Sequence, residues 1–192
     1  MNSTDTRTQI LDTAQELIQR VGVNAMSYQD ISEAVGIRKA SIHYHFPTKD
    51  DLLAALLDRY NAHFLRLVDG IIAQPAPAET KLRHYCSFYE ATLSSGNGDK
   101  ACLYGMVGAE LATLKHPLAE RVAKFYSDNA ERLAQILQEG KETGDFGFAG
   151  DVQIMATLIF SLLEGGQLIA RAYGGITQYR AVVEQLMRLV KG

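Results

Sequence analysis

The spacing of apolar residues limits what this chain can fold into more than any other feature. From Thr6 to Val21, Ile10, Ala14, Leu17, Ile18 and Val21 recur at threes and fours, and the rhythm returns in Leu52, Leu56, Tyr60, Phe64, Leu67 and Ile71. Such intervals put apolar side chains on one face of a helix, whereas a half-buried strand needs alternation at every second residue. No such alternation persists anywhere in the chain. The expected fold class is all-α.

Punctuation divides the pattern. Gly22 closes the first helix as a C-cap. Ser27, with Asp30 three residues on, is a capping-box start for a second helix over Tyr28 to Val35, which Gly36 stops. A third helix is predicted over Lys39 to His45, ended by Phe46-Pro47. Thr48 caps a fourth that runs to about Ala73, with Asp50 and Asp51 at its positive end. Pro75-Ala76-Pro77 breaks the chain, and residues 94–99, Ser-Ser-Gly-Asn-Gly-Asp, form its clearest loop. Further helices are expected over residues 78–94, 101–114, 118–143, 151–173 and 178–190. Short helices therefore come first and long ones after. This suggests an N-terminal three-helix domain, residues 1–48, followed by a larger helical domain, residues 49–192.

Composition removes several classes of function. At 192 residues with 47% apolar and 21% charged residues, the chain has ample core for a soluble globular protein. Its longest purely apolar runs fall far short of the roughly 20 residues a membrane span needs, and MNSTDTRTQ has no signal-peptide core. No membrane partner is expected. Two cysteines, Cys86 and Cys102, without a CxxC spacing, fit free thiols in a cytoplasmic protein. The five histidines include no HExxH. No metal, cofactor or catalytic residue is expected.

The net charge is −3, and even residues 1–60 hold six Lys and Arg against eight acids. Yet Ile37 to Leu52, IRKASIHYHFPTKDDL, gathers Arg38, Lys39, His43, His45 and Lys49 around two aromatics. Binding to nucleic acid responds to charge at the contact face rather than to the whole-chain sum. Two short helices joined by Gly36-Ile37-Arg38 match a helix-turn-helix. Ile31, Ala34 and Val35 would face inward from the first helix, and Ile42 and Phe46 from the second. Lys39, Ser41, His43, Tyr44 and His45 are left for the outer face and its edges. Such residues suit a recognition helix in the major groove. Seven residues rise only about 10 Å, so few bases can be read.

The stretch ILDTAQELIQRVGVNAMSYQDISEAVGIRKASIHYHFPTKDDLLAALLDRY resembles the N-terminal segment of the tetracycline-repressor (TetR) family of bacterial transcription regulators. The resemblance rests on Ile10-Leu11, Ala14, Leu17, Gly22, Ile31, Ala34 to Ile37, Ser41-Ile42, Tyr44, Phe46, Lys49 and Leu52, with spacing intact. The family commonly has Tyr at the positions of His43 and His45, and Ser at Arg38. The resemblance implies a cytoplasmic homodimeric regulator, a repressor, that binds a palindromic double-stranded DNA operator and is released by a small-molecule or electrophilic effector. Lys39, Ser41 and His43 would enter the groove, with Tyr44, His45 and Lys49 on phosphates. Ala101-Cys102-Leu103 resembles a helix start found in thiol-bearing members.

The rest of the chain would then hold the effector and the dimer contact. Tyr85, Phe88, Tyr89, Tyr104, Met106, Phe125 and Phe160 supply aromatic and polarizable walls, as do Tyr126 and Met155, with Glu110 and Glu164 as polar anchors. Cys102, two residues after Lys100 at an expected helix start, has two features that stabilise a thiolate; Cys86, mid-helix, reads as core. Ile154, Leu158, Leu162, Gly165 and Ile169 form one candidate dimer stripe, and Val182, Val183, Leu186, Met187 and Val190 another. Gly165-Gly166 inside a helix costs up to about 1 kcal/mol per residue relative to Ala, which close approach of a partner helix would explain. The rival reading is a thiol-dependent helical enzyme with Cys102 as nucleophile and His84 or His116 as base.

Overall fold

The computed structural model describes residues 3–94 and 98–192. Among these, every regular element is helical: α1 Ser3–Val21, α2 Tyr28–Val35, α3 Lys39–His45, α4 Lys49–Ile72, α5 Ala78–Ser94, α6 Leu103–Ala109, α7 His116–Thr143, α8 Val152–Ala172 and α9 Gly175–Lys191. A 3-10 turn, Leu111–Thr113, follows α6. Residues 95–97 of the predicted loop lie outside the described residues.

The boundaries of α2 and α3 follow from local chemistry. The Asp30 backbone N–H donates to Ser27 Oγ at 3.3 Å, and the Ser27 N–H donates to Asp30 Oδ2 at 2.8 Å, completing the capping box. Gly36, at φ 74°, takes the left-handed conformation that returns its N–H to Ser32 O at 3.0 Å. At the start of α4, Thr48 and Asp51 form a second reciprocal pair of 3.0 and 3.2 Å. The predicted helix over 101–114 is shorter. It begins at Leu103 and gives way after Ala109 to the 3-10 turn. α7 starts two residues early at His116, with Pro117 tolerated in its first turn.

Packing groups the helices into two compact units, Met1–Ala62 with Leu103–Lys124, and His63–Cys102 with Phe125–Gly192. α4 and α7 contribute residues to both. The first unit buries Ile10, Leu11, Ala14 and Ile18 of α1 together with Ile31, Ile42 and Phe46, and α6, which packs on α1, buries Leu103, Tyr104 and Val107. Each of the Ile, Leu, Val and Phe side chains among them contributes about 1.5–3 kcal/mol on leaving water. Of the α2 residues expected inward, Ile31 is buried, Val35 is half-buried and Ala34 is exposed. In the second unit α5, α8 and α9 pack on one another around Tyr85, Cys86, Ile159, Leu163, Tyr179 and Leu186. α8 is the one described helix long and apolar enough to cross a membrane, with mean hydropathy 1.5 in its most apolar stretch. Its Ala156, Ile159, Leu163 and Gly166 face inward, and Ile154, Leu158, Leu168 and Ile169 lie exposed.

Candidate nucleic-acid interface and effector residues

α3 is a seven-residue helix anchored from below. Ile42 is fully buried and Phe46 nearly so, with the Arg7 guanidinium 5.1 Å above the Phe46 ring. Lys39, His43 and Tyr44 are exposed, Tyr44 at 81%, while Ser41 and His45 are half-buried. Five of the six residues predicted to meet DNA thus occupy one short helix, and the sixth, Lys49, opens α4.

Tyr28, at the start of α2, sets the position of His43. Its hydroxyl lies 2.9 Å from Phe46 O and 2.7 Å from Thr48 O, tying α2 to the turn after α3. Burial first, and then the nearby Asp51 and Asp50 carboxylates, push its phenol up to about 12, so it stays a donor. The Tyr28 and His43 rings lie 4.9 Å apart, and His43 Nδ1 is 3.2 Å from Pro47 O. A carbonyl only accepts, so that nitrogen must carry the proton. In the tautomer with Nδ1 as donor, Nε2 is the nitrogen left to accept.

Lys49 is placed differently from a free phosphate-seeking cation. Its Nζ donates to Val23 O and Met26 O, both at 2.6 Å, and burial lowers its pKa. Those carbonyls belong to the loop between α1 and α2. The same loop is held from the other side by Glu110, which accepts the Asn24 N–H at 2.8 Å, and by Thr113 Oγ1, 3.0 Å from Asn24 Nδ2. Gly22, at φ 87°, is required there: a Cβ would also collide with the Glu110 carboxylate. Asn24, Met26, Ser27, Tyr28, Gln29, Lys39, His43 and Lys49 line an open depression of about 460 Å³ beside α3. A concave face carrying Lys39 can seat a phosphate backbone while α3 meets base edges.

The residues predicted to meet an effector fall into two groups. Tyr104, Met106 and Glu110 lie in the first unit. The Tyr104 hydroxyl donates to Leu57 O at 3.0 Å, and Glu110 holds Asn24. Tyr85, Phe88, Tyr89, Cys102, Phe125 and Phe160 lie in the second unit. There Phe64 sits 5.5 to 6.5 Å from the rings of Phe88, Phe125, Tyr85 and Tyr89, and Phe160 lies 5.5 Å from Tyr126. Tyr85 donates to Asn129 Oδ1 at 3.1 Å, and Gln167 Nε2 donates to Tyr89 O at 3.0 Å. Asn129 and Gln167 were not legible as site residues, since a lone amide on a long helix gives no sequence signal.

Cys102 is buried just before α6, and its backbone N–H donates to Gln167 Oε1. Its thiol hydrogen-bonds the Glu164 carboxylate, which also accepts from Tyr89 Oη at 3.3 Å. Burial raises the Glu164 carboxyl to about 7. Burial pushes the Cys86 thiol up to about 12, as suits a core cysteine. His84 is exposed beside Phe88, and His116 is exposed 3.5 Å from Glu120.

The family model for bacterial regulatory proteins of the tetR family matches residues 10–56, and that for the tetracyclin repressor-like C-terminal domain matches residues 78–186. A TetR-family transcriptional regulator from Agrobacterium tumefaciens superimposes with TM-score 0.94 at 27% identity, covering 100% of both chains. A TetR regulator from Legionella pneumophila does so with TM-score 0.84 at 32% identity, covering 95% of this chain and 96% of that one. The HTH-type transcriptional repressor NemR of Escherichia coli (strain K12) is 25% identical over 171 residues, 87% of this chain and 84% of its own length. The chain belongs to the TetR family of bacterial regulatory proteins, and is a DNA-binding transcriptional regulator.

Proposed function

We propose that the protein is a homodimeric repressor whose residues 1–48 read a palindromic operator and whose residues 49–192 bind an effector and join the two copies. The observation that carries the reading is α3, locked below by Ile42 and Phe46 and presenting Lys39, His43 and Tyr44 outward. Ser41 and His43 read base edges; Lys39, Tyr44 and His45 contact the groove walls and phosphates. Lys49 acts mainly by fixing the loop that shapes the depression beside them.

The dimer rests on α8. Ile154 is 72% exposed and Ile169 58%, with Leu158 and Leu168 also uncovered on the same helix. An apolar stripe of this kind marks an interface, and a reader of two half-sites needs a symmetric pair. The second stripe divides. Leu186, Met187 and Val190 are buried within the chain, while Val182 and Val183 are half-buried. Effector release requires only about 1–3 kcal/mol of coupling to change operator occupancy. The buried aromatic cluster of the second unit, with Glu164 as its polar group, supports an effector site there.

Selection of bound duplexes from a random pool tests the reading. The expected product is an inverted repeat whose half-sites lie about one helical turn or a multiple apart. Its affinity should fall steeply with salt. Failure to retain any duplex at low salt would overturn it.

A further inference from the structure

Glu164 occupies an unusual position. It lies on α8 between Phe160 and Gln167, one turn from each, both of which are buried. Its two polar partners, Tyr89 Oη at 3.3 Å and the Cys102 thiol, are neutral donors. No ion pair among the described residues includes Glu164, and no Lys, Arg or His figures among the causes that set its proton affinity. Its charge instead acts on Tyr85, Tyr89, Tyr126 and Tyr179. Glu164 and Tyr126 keep part of their surface accessible, whereas Tyr89, Phe125 and Phe160 around them are buried. A carboxylate among aromatic side chains, bonded to the Tyr89 hydroxyl and without a cation of its own, is complementary to a positive ligand with an apolar body.

We infer that the effector is an organic cation, an alkylated or aryl ammonium, whose charge sits against the Glu164 carboxylate and whose substituents lie on the rings of Tyr126, Phe160 and Tyr89. This rests on the effector reading above and assigns its ligand class. A neutral ligand would leave the carboxyl protonated and accept its hydrogen. A cation instead favours the carboxylate and expels the proton. The other titratable groups facing the site are Tyr85 and Tyr89 from α5, the Cys102 thiol, Tyr126 from α7 and Tyr179 from α9. Burial pushes all four phenols above their ordinary value of 10.0, so they stay neutral from pH 6 to 8. Glu164→Gln isolates the part of the pH response in that window that belongs to Glu164.

Calorimetric titration of the full chain with tetramethyl-, tetraethyl- and benzyltrimethylammonium, beside neopentylbenzene as the uncharged isostere of the last, tests the inference. At least one cation should bind about tenfold or more tightly than the isostere at pH 8. Its affinity should rise about tenfold from pH 6 to pH 8, because the fraction of free protein with Glu164 ionised rises by that factor around a value of about 7. Binding heats should depend on buffer ionisation, reporting the released proton. Glu164→Gln should remove both the preference and the pH response while melting no lower than the parent at pH 8. Equal binding of the isostere, affinity flat between pH 6 and 8 in the parent, or no cation bound at millimolar concentration would each overturn it. The parent protein alone supplies those outcomes. Duplex selection needs no effector, so a failure here leaves operator recognition standing.

Discussion

His43 carries two constraints at once. Nδ1 is committed to Pro47 O at 3.2 Å and the ring leans on Tyr28, so only Nε2 faces outward. An acceptor there suits the exocyclic amino group of adenine or cytosine in the major groove. His43→Ala should therefore relax preference at one operator position by about 1–3 kcal/mol while leaving affinity for unrelated duplexes unchanged. Uniform weakening across all sequences would make it a phosphate contact instead. Glu164 supplies a second residue-level test. Its carboxyl titrates near 7 in the folded chain against an ordinary 4.5. Below about 4.5 both states hold the proton. Between 4.5 and 7 the unfolded chain releases it first, so this contribution to stability declines as pH rises and is gone above 7. Urea midpoints measured from pH 4.5 to 8 should fall more for the parent than for Glu164→Gln, and parallel curves would refute the assignment.

At the scale of elements, the loop between α1 and α2 shows what local pattern reveals and what it cannot. The limits of α2 and α3 were legible because Ser27, Asp30 and Gly36 set them within a few residues of chain. The early end of α6 was not. Glu110 and Thr113 bond Asn24 across 86 and 89 residues of sequence, and no local signal announces a partner so far away. The same holds for Lys49. Its place in the motif was plain, but its two carbonyl acceptors lie 26 and 23 residues back. The outer face of α3 could be read as a candidate site, whereas the supports of that site could not. Lys49→Met should cost about 1–2 kcal/mol in denaturant unfolding, since the loop loses two charge-assisted bonds on a partly exposed group. Gly22→Ala should cost about 1–3 kcal/mol by forcing a side chain into a left-handed φ against Glu110. If Lys49→Met kept full stability and lowered only the salt slope by about one unit, its ammonium would act on DNA rather than on the loop.

For the whole molecule, the two adjacent glycines of α8 separate packing within the chain from packing between copies. A Cβ on Gly166 would lie 3.4 Å from Val182 Cγ1, so that glycine admits α9 of the same chain. A Cβ on Gly165 would meet nothing within 4 Å. A larger side chain at Gly165 therefore fits a single folded chain and even removes the cost of glycine in a helix, about 1 kcal/mol. Gly165 lies on the accessible side of α8, among Leu158, Leu168 and Ile169, the stripe proposed to meet the second copy. If the helices of two copies approach closely there, Gly165→Leu should hold them apart and lower dimer affinity by tenfold or more, equivalent to about 1.4 kcal/mol. Operator affinity should fall with it, because each half-site would then be bound by an unlinked reading head. Monomer stability should stay level or rise. Sedimentation velocity across a concentration series, beside circular dichroism melts of dilute protein, separates these outcomes. A variant that dimerises like the parent would move the interface away from Gly165, and a variant that melts early would mean that the residue packs inside the chain after all.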